Sequence, residues 1–283
     1  MLIKPTREEG ESYIDFAYEL ALDPSRSGYP TYADGIKTKE DFADTCISGL
    51  TREDRQVLLY LEDGAVSGWI QFLIEEDSKY LETNVFNISG DTARALGEFI
   101  DYCVDNFPGA KLCLGFPGEN KDAVHYLTSC GLRCEEHSFN DVLCFDHYDL
   151  LPETGNVVRV NRDNFDDFRK IHEPIQGDMY WNCDRLFDAL DSWTIWMLYE
   201  NGQPAGAIYD RDAEVLMHIY GIDYLDDIFQ ESTFRGLLIM ELNECKRAGK
   251  KYMVFFNDAE TQQTVLDLGF TCVGEYMLFV KNI

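Results

Sequence analysis

The sequence predicts an α/β protein built from two successive copies of one α/β unit, the second beginning near residue 155. Three observations predict it. The chain has 283 residues, long for one compact domain and comfortable for two of about 140 each. One order of elements is read twice: strand, two helices, hairpin, strand–helix–strand, helix, Gly, terminal strands. Between the copies, His147 to Gly155 (H-Y-D-L-L-P-E-T-G) breaks both periodicities and carries Pro and Gly, the marks of a linker. The expected domains are 1–147 and 155–283.

The first copy opens with a strand at Leu2 to Pro5 and an amphipathic helix at Glu9 to Leu22. A Pro/Gly/Tyr-rich loop, Asp23 to Gly35, separates it from a helix at Thr38 to Leu50. Strands Gln56–Leu61 and Val66–Ile74 flank Asp63-Gly64, a strong hairpin signal. A strand at Tyr80–Ile88 leads through Ser89-Gly90-Asp91-Thr92 into a helix ending near Asn106. Strand Lys111–Phe116, helix Asn120–Cys130 and Gly131-Leu132 follow. Arg133 to Phe145 reads as two strands around Ser138-Phe139-Asn140-Asp141.

The second copy runs in parallel: strand Val157–Val160, helix Asp163–Ile171 and helical stretch Asp184–Leu190. A hairpin, Thr194–Tyr199 and Pro204–Tyr209, turns on Asn201-Gly202. Strand Val215–Ile222 feeds helix Ser232–Ala248, then strand Lys251–Phe256 and helix Ala259–Leu268. Gly269-Phe270 starts a final strand pair, Cys272 to Lys281.

Composition narrows the function. Residues are 45% hydrophobic and 13% aromatic, ample for a core, so disorder is excluded. No run approaches the ~20 apolar residues of a membrane span. Met1-Leu2-Ile3-Lys4-Pro5 lacks a signal-peptide pattern and reads as a first strand. Nine cysteines lie scattered, with no C-x-x-C pair and Cys130-x-x-x-Cys134 alone; reduced thiols, a cytoplasmic setting and no metal are expected. A net charge of −28, from 52 acids against 24 bases, argues against nucleic acid. It favours cationic small molecules or basic peptides, and equally describes a merely acidic surface.

The stretch from Gly118-Glu119-Asn120 through Ala123 and Tyr126 to Gly131-Leu132 resembles the E-N-x-x-A-x-x-F-Y-x-x-x-G-F signature of GNAT N-acetyltransferases. Asn257-Asp258-Ala259 through Gly269-Phe270 plays the same part in the second copy. The hairpin Met197 to Tyr209 is typical of that family, and Ile219-Tyr220-Gly221-Ile222-Asp223 resembles its Leu-Tyr-Val-x-Pro strand tail. The resemblance spans nearly the whole chain. It implies two tandem GNAT-like acyl-CoA N-acyltransferase domains, each a mixed twisted sheet flanked by helices. It also implies acetyl-CoA or another acyl-CoA as cosubstrate and a small-molecule or peptide amine as acceptor. A pseudo-dimer within one chain, or a homodimer, is the expected assembly.

Such a reaction needs a cleft between two splayed parallel strands for the pantetheine arm. It also needs helix-terminal amides for the diphosphate and a base for the amine. By resemblance, the second copy would hold the cofactor with Ile219, Tyr220, Gly221, Gln230, Ser232, Thr233, Phe234, Arg235 and Gly236. The family's R/Q-x-x-G-x-G/A is met at Gln230, but Thr233 and Arg235 stand where relatives carry small residues, and Asp226 and Asp227 precede. An ordinary capped helix is the competing reading. The first copy offers one glycine and Asp91, the latter read as an N-cap or first-turn acid, so its domain is expected to be degenerate.

Candidate bases are Glu214 and His218, placed on one strand face with Tyr220 by period 2. Glu82 is the first-copy parallel. Relatives often protonate the leaving thiolate with a late tyrosine. That slot holds Leu127 in one copy, with Tyr126 about 100° away around the helix, and Val265 in the other. Tyr276 is the substitute, or else a packed aromatic. Tyr180, Trp181, Trp193, Trp196 and Met197, with Asp184 and Asp188, form a pocket wall or a core. Two further readings stay open: a non-catalytic ligand-sensing or protein-interaction module, and a chain whose first domain is the active one.

Overall fold

The computed structural model describes residues 1–153, 155–177, 179–211 and 216–283. They form two compact units. The first is Met1–Asn140 with Val273–Ile283, the second Asp141–Cys272.

In the first unit, strands β1 (Leu2–Ile3), β2 (Arg55–Glu62), β3 (Ala65–Glu75), β4 (Tyr80–Ile88) and β5 (Lys111–Pro117) lie in that order. The expected helix over Glu9–Leu22 is two helices, α1 (Arg7–Glu11) and α2 (Ile14–Ala21). Thr6 and Glu9 close a capping box at the start of α1. Ser12 Oγ then donates to the Glu9 carbonyl at 2.7 Å, offering the backbone an alternative to a continued helix. Helix α3 (Lys39–Thr51) carries a second capping box, Thr38 with Asp41. These three helices and one sheet face enclose Phe42, Trp69 and Val85. The other face meets α4 (Thr92–Asn106) and α5 (Lys121–Ser129) over Phe72, Phe86, Phe99 and Phe116.

The terminal strands depart from expectation. Residues 134–144 form one strand, β6 (Cys134–Cys144), and the chain's last strand is β12 (Thr271–Asn282), each read from sequence as a pair. The polar run at Ser138–Asp141 looks like a turn, yet Ser138, Asn140 and Asp141 are buried within the sheet. Asp141 is met there by the Asn257 amide, Nδ2–H to Oδ2 at 2.6 Å. Strand β12 lies antiparallel to β5, from Tyr276 opposite Pro117 to Asn282 opposite Lys111. The compact units therefore do not follow the 1–147 and 155–283 division. Residues 273–283 complete the first unit, and 141–153 open the second.

The second unit orders its strands β11 (Tyr252–Asn257), β10 (Leu216–Tyr224), β9 (Gln203–Arg211), β8 (Trp193–Glu200) and β7 (Asn156–Arg159), with β6 the neighbour of β11. Helices α6 (Phe165–His172) and α7 (Cys183–Asp188) cover one face around Phe168, Ile195 and Met197. Helices α8 (Glu231–Arg247) and α9 (Gln262–Asp267) cover the other around Ile208, Phe234 and Leu242.

Phe279 of β12 is 1% exposed within the first unit's core. The Phe279→Ala variant is expected to lose about 3–5 kcal/mol of stability. Urea unfolding, followed by a probe in the first unit, measures it.

Candidate active site

Both units contain a parallel strand pair that bonds briefly and then parts. In the first, Tyr80–Glu82 of β4 pair with Lys111–Cys113 of β5; in the second, Leu216–Ile219 of β10 pair with Tyr252–Phe255 of β11. The outer neighbour of each central strand also slips register. β3 shifts between Gln71 and Phe72, opposite Val85 and Thr83, which leaves Asn84 extra on β4. β9 meets Ile219 and Gly221 with Asp210 and Tyr209, which leaves Tyr220 extra on β10. A bulge bends the strand that carries it, and here it bends each central strand where its parallel partner is lost.

The first unit fills part of the resulting gap with its own chain, and a cavity of about 340 Å³ lined by Arg26, Ile88, Ser89, Gly90, Glu119 and Lys121 remains at its mouth. The Ile88 N–H donates to the Arg26 carbonyl at 3.0 Å, and the Arg26 guanidinium reaches the Ser89 carbonyl. Asn120, ahead of α5, donates Nδ2–H to the Ser27 carbonyl at 3.0 Å. Gly28 presses on β4 so closely that a Cβ there would lie 2.7 Å from Phe86 Cβ and 2.9 Å from its backbone N. Ser27 is 1% exposed. Segment 26–28 is thus an extra rib along the β4 edge. Among the described residues, no segment of the second unit bonds the Tyr224 amide in this way.

On the second unit's β10, His218 and the bulged Tyr220 are ring neighbours at 4.8 Å. Tyr220 is 43% exposed and meets Trp193 edge-on at 4.9 Å, and Trp193 meets Trp181 at 4.9 Å. Phe256 lies 5.6 Å from His218 on the other side. Arg211, the last residue of β9, stands opposite both His218 and Trp193 in the register. The result is an aromatic shelf ending at an imidazole. Helix α8 begins nearby in sequence. Gln230 is its N-cap without a side-chain cap bond, and the first closed helical bond is Phe234 N–H to the Gln230 carbonyl. The amides of Glu231, Ser232 and Thr233 precede it, the position where helices accept anions. In the first unit Asp91 takes that place as N-cap of α4, accepting the Arg94 N–H at 2.9 Å.

No family model matches this sequence, and the search of curated proteins finds no match. Solved structures do match over the full length. A GCN5-related N-acetyltransferase from Sphaerobacter thermophilus superposes with a TM-score of 0.69 at 11% identity, covering 100% of this chain and 95% of that one. The tandem GNAT protein of the clavulanic acid biosynthesis pathway gives 0.60 at 9%, covering 100% and 98%. A GCN5-related N-acetyltransferase from Kribbella flavida gives 0.52 at 11%, covering 83% and 92%. This chain has the tandem GNAT fold. In GNAT terms, each unit keeps the splayed central strands, and in the first unit segment 26–28 takes part of the splay from within.

The structure sorts the residues expected in the GNAT site. Ser232 and Arg235 are exposed at the start of α8, and Gln230 just before it. Thr233 and Phe234 are 1% exposed and turn inward. Thr233 donates Oγ–H to Glu200 at 3.2 Å, while Phe234 packs on Phe255 and Phe229. With Gly236, also buried, they face the sheet because helix periodicity puts them on the side of Leu237 and Leu238. Ile219 is likewise core. Gly221 is a point of close approach: a Cβ there would lie 2.3 Å from Tyr209 Oη. The expected alternation on β10 is reset by the bulge, so Gly221 and Asp223 follow His218 on its face. Glu214 lies outside the described residues.

Tyr276 belongs to the first unit, not to the unit of His218. It is 8% exposed, stacked edge-on against Tyr29 at 5.3 Å, and burial holds its hydroxyl well above the usual range. Glu82 shares that unit; burial raises its carboxyl, and Tyr80 donates Oη–H to it at 3.2 Å. The tryptophans divide by face. Trp193 and Met197 lie toward α6, while Trp196 packs with the α8 core. Asp184 is held by Arg169 at 3.1 Å. Among the described residues, Asp210, Glu241 and Cys245 bring ligand-type atoms within 4.8 Å of one another. Burial pushes the Cys245 thiol up, and it donates to Glu241 Oε1 at 2.9 Å, so it sits there as a thiol rather than a thiolate ligand.

One pair escaped the sequence reading. His172, ending α6, is 0% exposed, and its Nδ1 lies 2.6 Å from Asp223 Oδ2. Its Nε2 must carry a proton, because it faces the Trp181 carbonyl at 2.9 Å. The pair ties β10 to the segment bearing the shelf. In the first unit Asn87 does the same work more simply, donating to the Ala17 carbonyl at 2.9 Å. Burial opposes charge on His172, but the bond and attraction of Asp223, with the Trp181 carbonyl, outweigh it and raise its pKa. A raised imidazole stabilises the fold below its unfolded value of about 6.5, and the gain is lost as pH climbs through the folded value. The Asp223→Asn variant is therefore expected to lose about 3 kcal/mol near pH 6, the deficit shrinking toward pH 9. Denaturant titrations at the two pH values measure it.

Proposed function

We propose that this chain is an acyl-CoA-dependent N-acyltransferase, acetyl being the default acyl group, acting on the primary amine of a small or peptide substrate. The second unit carries the reaction. The supporting observation is the contrast between the two clefts. Arg26–Gly28 take the β4 edge in the first unit, whereas the described residues of the second leave the β10 edge beyond Ile219 to a ligand.

The residues fit such a ligand. The β10 edge from Tyr220 onward would hold the pantetheine amides. The first-turn amides of α8, with Gln230, Ser232 and Arg235 exposed around them, would hold the diphosphate. When bound, the thioester supplies an activated acyl carbon. The chain's own part is to orient the amine and remove its proton. His218, beside the bulge, is placed to accept that proton directly or through water. Trp193 and Tyr220 keep bulk solvent from one side of it. The first unit is then a degenerate copy, retained for its packing.

Two observations favour the rival reading, a non-catalytic ligand-sensing or interaction module. Glu231, Asp226 and Asp227 add negative charge at the helix start, and Tyr276 serves the first unit.

Calorimetric titration with acetyl-CoA is expected to give one equivalent per chain and to raise the melting temperature by linkage. Ser232→Glu, which sets a carboxylate among the diphosphate amides, should weaken binding at least about tenfold. Lys121→Glu, at the start of α5 in the first unit, should leave it unchanged. No binding at millimolar cofactor overturns the proposal, and sensitivity to Lys121→Glu alone moves the site to the first unit. His218→Gln is expected to lower kcat by roughly 10²–10⁴-fold with acetyl-CoA affinity retained, read by following free thiol release.

A further inference from the structure

We infer that the second unit's site selects an amine that also bears a carboxylate on a flat apolar body, the chemistry of an aromatic amino acid or a peptide ending in one, and that Arg211 reads the carboxylate. The inference rests on the preceding reading for the fate of the amine, but its binding argument stands on separate observations.

The shelf is framed by guanidinium groups in a strongly acidic chain. Arg211 lies over the Trp181 ring at 5.8 Å, and Arg185 over the Tyr180 ring at 3.9 Å. Both are exposed. Three basic side chains of the same unit are held by carboxylates: Arg169 by Asp184, Lys170 by Asp167, Arg247 by Glu153. Among the described residues Arg211 meets no carboxylate, and Arg185 donates Nη1–H to the Tyr180 carbonyl at 3.0 Å instead.

Their positions are set by the sheet. Arg211 is the cross-strand neighbour of Trp193 on one side and His218 on the other, and neighbours directly opposite have Cβ atoms about 4.5–5.5 Å apart. A carboxylate on Arg211 thus places the rest of a small molecule against the exposed Tyr220, which the buried Trp193 supports from beneath, with its amine toward His218. The guanidinium fork suits a carboxylate bidentately and is held flat by the indole beneath it. A fixed cation there also lowers the pKa of a neighbouring ammonium, so it favours the free amine that His218 has to generate. This local charge outweighs the expectation of a cationic acceptor drawn from the net charge of −28, because distant surface charges are screened beyond roughly 8 Å.

The test is a matched pair. L-Phenylalanine and phenethylamine differ only in the carboxylate, and Trp181 and Trp193 provide a fluorescence signal on the shelf itself. Titrated without any CoA compound, the wild-type protein is expected to bind phenylalanine at least about tenfold tighter than phenethylamine. Arg211→Gln should abolish that preference while changing phenethylamine affinity less than about twofold, and Arg211→Lys should restore it in part. Equal affinities in the wild type, a preference that survives Arg211→Gln, or no binding of either compound up to roughly 10 mM would each overturn the inference. An Arg211-dependent preference in a protein that ignores acetyl-CoA would uphold it while ending the acyltransferase reading.

Discussion

A β-strand that loses its neighbour part-way leaves main-chain donors and acceptors that must be paired by something. That requirement governs both halves of this molecule. Each central strand bonds its parallel partner for three or four residues, bulges, and then presents a bare edge. In the first unit part of the need is met internally: the Ile88 N–H bonds the Arg26 carbonyl, and the Asn120 amide holds the adjoining Ser27 carbonyl. The Gly28 contact shows how completely the rib is seated, since a methyl group there would strike the β4 backbone. One unit meets part of the edge problem by packing its own chain there. In the other, no segment among the described residues bonds the corresponding Tyr224 amide.

The bulges do more than open the edge. By inserting Tyr220, the second unit brings an exposed phenol next to His218 and then turns Gly221 and Asp223 to the α6 face. Gly221 accepts the Tyr209 ring, and Asp223 accepts His172, so a buried polar tie grows directly from the register shift. The same shift in the first unit carries Asn87 to the Ala17 carbonyl. Architecture is repeated while chemistry is not. An amide needs no counter-charge, whereas a buried imidazole and carboxylate stabilise the fold only as a pair.

Much of the candidate site was readable from residue types. His218 was legible because a lone imidazole on a strand with one polar face is conspicuous, and Ser232 and Arg235 because a helix start leaves its outward positions polar. Phe234 was misplaced because four residues of helix do not reveal which way the first turn faces; only Leu237 and Leu238 packed on the sheet decide it. Trp196 was grouped with Trp193 by proximity in sequence, although three residues along a strand point to opposite faces. His172 and Asp223 are 51 positions apart, and no local pattern links them.

The sequence by itself determined the two-copy α/β plan, the hairpins at Asp63-Gly64 and Asn201-Gly202, the main helices, and the resemblance that pointed to splayed strands. These follow from periodicity and turn chemistry, which act over a few residues. The tertiary structure alone decided that β12 completes the first unit, that Arg26–Gly28 fill part of one cleft, and that Tyr276 and His218 serve different units. Each of those outcomes depends on which distant backbone edge a segment meets. Hydrogen-bonding capacity at an edge is the same for every residue except proline, so it leaves almost no mark in the order of side chains.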